Sequence, residues 1–108
     1  MNGSQREDWL IRQTKAIAAM VARIAGLRAG GAVDEARAEL EKAHHELAGT
    51  QADLVRRADP KTAAMLLGTP DRVELFTRLL DEEAALEPDA ARARDLASRA
   101  AALRREAE

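Results

Sequence analysis

Cysteine and tyrosine are both absent, and a single tryptophan and a single phenylalanine make up an aromatic fraction of 2%. Without cysteine there is no disulfide framework, no cysteine zinc site and no thiol nucleophile. Charge of one sign is not in excess either. Seventeen basic residues against nineteen acidic ones leave a net charge of −2. A nucleic-acid or polyanion binder needs a basic surplus and stacking aromatics, and both are lacking. A charge-free stretch such as Ala16 to Ala22 falls far short of the roughly 20 apolar residues that cross a bilayer. The first residues, Met1-Asn2-Gly3-Ser4-Gln5-Arg6-Glu7-Asp8, do not lead a basic stretch into an apolar run, so no secretory signal is expected. The expected setting is the cytoplasm.

What is present is alanine and leucine at helical spacing. Hydrophobic residues make up 46% of the 108, and half of them are alanine. Twenty-five large apolar side chains remain, enough for the core of one small domain but not of two. Nearly every segment repeats at three or four residues, and no strand alternation survives. The first helix is expected from about Ser4 or Gln5 to Ala29, capped by Ser4 with Glu7 three residues on, and ended by Gly30-Gly31. Its apolar stripe is Leu10, Ile17, Met20, Val21, Ile24 and Leu27.

The second helix is expected from Val33 to Ala48, with Val33, Ala36, Leu40, Ala43 and Leu47 inward. A glycine break this short folds the two helices back as an antiparallel hairpin. Thr50 is expected to cap a short helix over Gln51 to Ala58. Asp59-Pro60 and Thr69-Pro70 are cap-plus-first-turn pairs opening a short helix to Leu67 and a longer one to Leu86. In the longer one Val73, Phe76, Leu79, Leu80 and Ala84 face inward. The last helix is expected from Asp89 to Glu106, with Ala93, Leu96, Ala100 and Leu103 inward. The fold class is therefore all-α, one domain of antiparallel helical hairpins: four main helices with short middle helices between them. A weak self-similarity at an offset of 56 pairs Ile17 with Val73, Met20 with Phe76, Ile24 with Leu80, Leu40 with Leu96, and Leu47 with Leu103.

Two resemblances bear on this reading. The segment from Gly31 to Ala43, with Gly31, Ala36, Leu40 and Ala43 at the turn and packing positions, resembles the turn and second helix of a tetratricopeptide repeat. Upstream it departs, with Met20, Arg23 and Ile24 where that repeat has Trp, Leu and Gly. The whole chain also resembles a family of small bacterial helical proteins of unknown function. That likeness is carried by Arg6-Glu7-Asp8-Trp9-Leu10-Ile11-Arg12-Gln13, Gly26-Leu27-Arg28, Glu35-Ala36, Glu46-Leu47-Ala48-Gly49 and Leu66-Leu67-Gly68, with Trp9 where the pattern has Tyr. It implies a helical fold and carries no activity.

Candidate chemistry is sparse. Glu41 and His44 have the Glu-x-x-His spacing of helical di-iron sites, and His45 could stand in for His44. A metal-binding helical protein completing this site across a dimer is the second functional expectation. The competing structural expectation is a pair of half-exposed histidines at the edge of the core. Ser4, Thr50 and Thr69 are accounted for as caps, and no nucleophile elbow or phosphate loop occurs, so no enzyme activity and no cofactor are expected. Asp81, Glu82, Glu83, Glu87 and Asp89 form an acidic cluster, either a dock for a basic partner or a solvated face with Arg78 and Arg92 nearby. Trp9, Leu10 and Ile11 are three consecutive large apolar residues spanning about 200° of helix, so they cannot all reach one core. They are the expected partner-binding residues. The first functional expectation is thus a non-enzymatic protein-interaction or scaffold module, with a homodimer through the first helix.

Overall fold

The turn after the first helix shows how directly local chemistry sets the chain path. In the computed structural model, which describes residues 2–107 with side chains for 7–107, α1 spans Asn2–Ala29 and α2 spans Val33–Ala48. Between them Gly31 takes φ +81°, a conformation that favours glycine. The Gly31 amide donates to the Arg28 carbonyl at 3.1 Å and the Ala32 amide to the Leu27 carbonyl at 2.9 Å. This double closure satisfies the last carbonyls of α1 and turns the chain straight into α2. α1 begins earlier than expected, so Ser4 lies within it rather than at its cap; the Ser4 side chain lies outside the described residues.

A 3₁₀ turn at Gly49–Gln51 leads into α3 (Ala52–Arg57), α4 (Pro60–Leu67), α5 (Pro70–Leu86) and α6 (Ala90–Ala107). Thr50 lies inside the 3₁₀ turn and does not cap α3, whose first turn has no side-chain cap. The other expected caps hold. Asp59 accepts from the Thr62 amide at 3.1 Å and Thr69 from the Arg72 amide at 3.3 Å; Asp89, expected as the first residue of the last helix, precedes it instead and accepts from the Ala91 amide at 2.9 Å.

The class is all-α, with no strand among the described residues. α1 packs along α2 and α5 along α6, and α5 also lies against both α1 and α2. All six helices feed one apolar cluster, including Ile17, Ile24, Leu40, Leu47, Val55, Leu67, Phe76, Leu80 and Leu103. Of the residues paired by the 56-residue offset, Ile17 and Val73, Ile24 and Leu80, and Leu47 and Leu103 are all buried, whereas Met20, paired with Phe76, and Leu96, paired with Leu40, are only half-buried. Val33, expected inward, is 38% exposed instead, because it sits in the first turn of α2 before the hairpin closes over it. Leu75 and Thr77 are buried beyond the expected stripe. The Thr77 hydroxyl is satisfied within its own helix, donating to the Glu74 carbonyl at 2.6 Å.

Helix C-termini elsewhere are closed by arginines from neighbouring elements. Arg37 donates to the Leu86 carbonyl at 2.9 Å, Arg99 to the Val55 carbonyl at 2.7 Å, and Arg72 to the Leu47 carbonyl. Each target lies in the last turn of its helix, where carbonyls lack intrahelical partners and the helix dipole favours a cation. Arg99 ties α6 to the end of α3, an element only six residues long. Arg99→Met should therefore lower the unfolding free energy by about 1.5–3 kcal/mol, the range for a hydrogen bond to a charged group. Urea denaturation of the two proteins checks this; equal midpoints would show that the bond contributes nothing.

Candidate functional site

Two places combine unusual chemistry with a defined geometry: a polar junction inside the bundle and an apolar end of α1. The junction centres on His44, which is 1% exposed. Its ring meets Phe76 edge to face, with centroids 5.6 Å apart and planes at 70°. Its Nε2 faces Glu83 Oε1 at 3.4 Å without forming a proper hydrogen bond. Glu83 in turn accepts from Arg56 Nη2 at 3.0 Å, and Arg56 Nη1 donates to Glu41 Oε2 at 2.8 Å. One guanidinium from α3 thus joins α2 and α5.

The sequence expectation for the histidines is corrected on one point. They are not a half-exposed pair: His44 is buried, while His45 is exposed and faces the outer groove between α1 and α2. Glu41 is bound by Arg56. Among the described residues no three His, Asp or Glu side chains gather in a way that could hold a metal ion.

Burial pushes the Glu83 carboxyl upward, but His44 and Arg56 outweigh it and hold the group below its ordinary value of 4.5. Folded Glu83 therefore binds a proton less readily than the unfolded residue does. The stability it contributes is complete above pH 4.5 and is lost as pH falls through the folded value. Asp59, depressed by its bonds to Thr62, acts in the same direction. Denaturation midpoints should accordingly drop on acidification below about pH 4.5, and Glu83→Gln should drop less steeply than wild type. A wild-type midpoint that is flat or rising over that range would contradict the arrangement.

The acidic cluster is occupied from within. Asp81 pairs with Arg104 at 2.7 Å, Glu82 with Arg28 at 2.9 Å, Glu83 with Arg56, and Glu87 with Arg92 at 3.7 Å, while Asp89 caps α6. The Arg92 pairing is the one expected from the sequence; those of Arg28, Arg56 and Arg104 go beyond it. Most of these arginines arrive from other helices, so sequence spacing within the cluster carries no sign of them.

The second place is the start of α1. The Gln13 side chain donates to the Glu46 carbonyl at 3.0 Å, near the end of α2. The turns of α1 before Gln13 therefore run past α2. α1 alone accounts for about 42 Å of a molecule 48 Å long. Leu10, the middle of the three expected partner residues, turns partly inward. Trp9 and Ile11 flank it on opposite sides and remain 52% and 53% exposed. Leu10, Ile11, Thr14 and Lys15 border the start of α5 at Thr69, Asp71 and Arg72.

Trp9 lies on the other flank, in line with Gln13, Ala16 and Met20 at helical spacing. On that flank an open, mainly apolar groove of about 680 Å³ runs between α1 and α2, lined by Ala16, Met20, Ala38, Glu39, Lys42 and His45 among others. No known protein family, curated protein or solved structure matches the chain.

Proposed function

We propose that the chain is a non-enzymatic helical association module that pairs with a second copy of itself through the overhanging start of α1. The observation that carries this reading is the exposure of Trp9 and Ile11, each more than half exposed, on a helix end that outruns its partner helix. Large exposed aromatic side chains at a helix end are the kind of anchor that dominates association energy once a partner excludes water. A two-fold axis near the overhang would bring identical patches together, so one surface serves both copies. A tetratricopeptide-like hairpin, membership of the small bacterial helical family and action in the cytoplasm belong to the same proposal. The first two are supported by the glycine-closed turn and by the quoted sequence likeness; among the described residues no helix is long and apolar enough to cross a membrane.

Light scattering of the wild type at tens of micromolar should give twice the 11.7 kDa of one chain. Trp9→Glu should return the single-chain mass with an unchanged helical spectrum, because the position is exposed and makes no demand on the core. A wild type at single-chain mass, or a Trp9→Glu variant that still pairs, would overturn the proposal.

A further inference from the structure

The overhang and the groove lie on the same flank of α1. Trp9 precedes Ala16 by two helical turns, about 10 Å along the axis, and Ala16 and Met20 form one wall of the groove. Ala38 lines the facing wall from α2, and both alanines are exposed. Alanine on both walls leaves room for a large side chain to enter without displacing backbone. Of the groove's three carboxylates, Glu39 pairs with Arg23 at 3.8 Å and Glu41 with Arg56 at 2.8 Å, while Glu46 is exposed at the end nearest the overhang. Trp9 carries Arg12 beside it, one helical turn further along the same side of α1. One molecule therefore holds both halves of a complementary pair: an indole with a cation next to it, and an apolar trough with an exposed carboxylate at one end.

We infer that the α1–α2 groove is the receptor for Trp9 of a second copy, in an antiparallel pairing of the two α1 helices. This rests on the proposal that the overhang mediates self-association, and adds where the overhang goes. α2 runs antiparallel to α1, with Glu46 beside Gln13, so the groove's polar end lies nearest the overhang. A two-fold axis close to Gln13 seats each Trp9 over Ala16, Met20 and Ala38 of the other copy. The same operation brings each Arg12 to the acidic end of the groove, at Glu46. The symmetry counts ridge and groove twice, which is how an isologous interface of modest elements approaches the roughly 800 Å² per partner of a stable dimer.

Sedimentation equilibrium on wild type, Trp9→Glu and Ala38→Arg tests this. Ala38 is exposed in the middle of α2, and arginine is a good helix former, so the variant keeps its fold. The arginine crosses the trough and fills the place the incoming Trp9 would take. The expected result is a wild-type dimer, with the dissociation constant of Ala38→Arg raised more than about tenfold; Ala16→Arg, on the opposite wall, should do the same. A dimer that persists in Ala38→Arg and Ala16→Arg but is lost in Trp9→Glu would overturn the groove as receptor and leave the overhang proposal standing. A wild type at 11.7 kDa throughout would overturn both.

Discussion

Phe76→Ala should lower the unfolding free energy by about 3–5 kcal/mol, the usual cost of truncating a buried phenylalanine. Phe76 is fully buried and is the only phenylalanine in the chain. It lies on α5, the helix that packs against α1, α2 and α6 alike, so no single neighbour can move in to refill the space. Its ring also gives His44 an edge-to-face partner at 5.6 Å, a contact worth about 0.5–1.5 kcal/mol beyond its area. With small domains stable by only about 5–15 kcal/mol, the variant should be close to unfolding at ambient temperature. Urea denaturation followed by circular dichroism measures the loss. A value below about 1.5 kcal/mol would mean that the α2–α5 contact is looser than the burial implies.

Arg56→Met should cost about 2–3 kcal/mol, for an asymmetric reason. Removing one member of a buried charge pair leaves the other uncompensated, at about 3–5 kcal/mol. The figure is reduced here because the Arg56 and Glu83 side chains retain 23% and 19% of their exposure. Met keeps the apolar stem and removes only the cation that spans Glu41 and Glu83. Adding Glu83→Gln should recover part of the loss, because the uncompensated carboxylate is then gone. A double-mutant cycle with no coupling, or a single variant as stable as wild type, would show that the Glu41–Arg56–Glu83 chain is ornamental to stability.

Elements whose causes are local were legible before any coordinates. α2 runs over Val33–Ala48 as its spacing and the flanking glycines require. Asp59-Pro60 and Thr69-Pro70 open α4 and α5 because cap and proline act within one turn. Ala36, Leu40, Ala43 and Leu47 are buried because a three-four spacing leaves them no other face. Thr50 fails as a cap because the preceding Gly49 turns the chain into a 3₁₀ segment first.

Contacts across the chain were not legible. His44 lies beside an apolar stripe, and only the arrival of α5 decides whether that margin is wet or dry. Its neighbours Glu83 and Arg56 come from α5 and α3, and the Arg56–Glu83 bond spans 27 residues. Arg37 and Arg99 read as surface charge, yet they close helix ends 49 and 44 residues away. Periodicity specifies which face of a helix is apolar. It carries no information on which distant carbonyl an arginine will find. For Trp9, Leu10 and Ile11 the arc required that at least one leave the core; the structure exposes two, Trp9 and Ile11, and arc alone does not say which.

Trp9 is the only tryptophan, so its emission reports on the overhang alone. The most direct measurement is the emission maximum of the wild type recorded across a dilution series from tens of micromolar downward. Self-association through Trp9 predicts a maximum at short wavelength in the concentrated protein, moving toward that of water-exposed indole on dilution, and Ala38→Arg should make the same shift at more than about tenfold higher concentration. A wild-type maximum that stays at the exposed position across the whole series would contradict it.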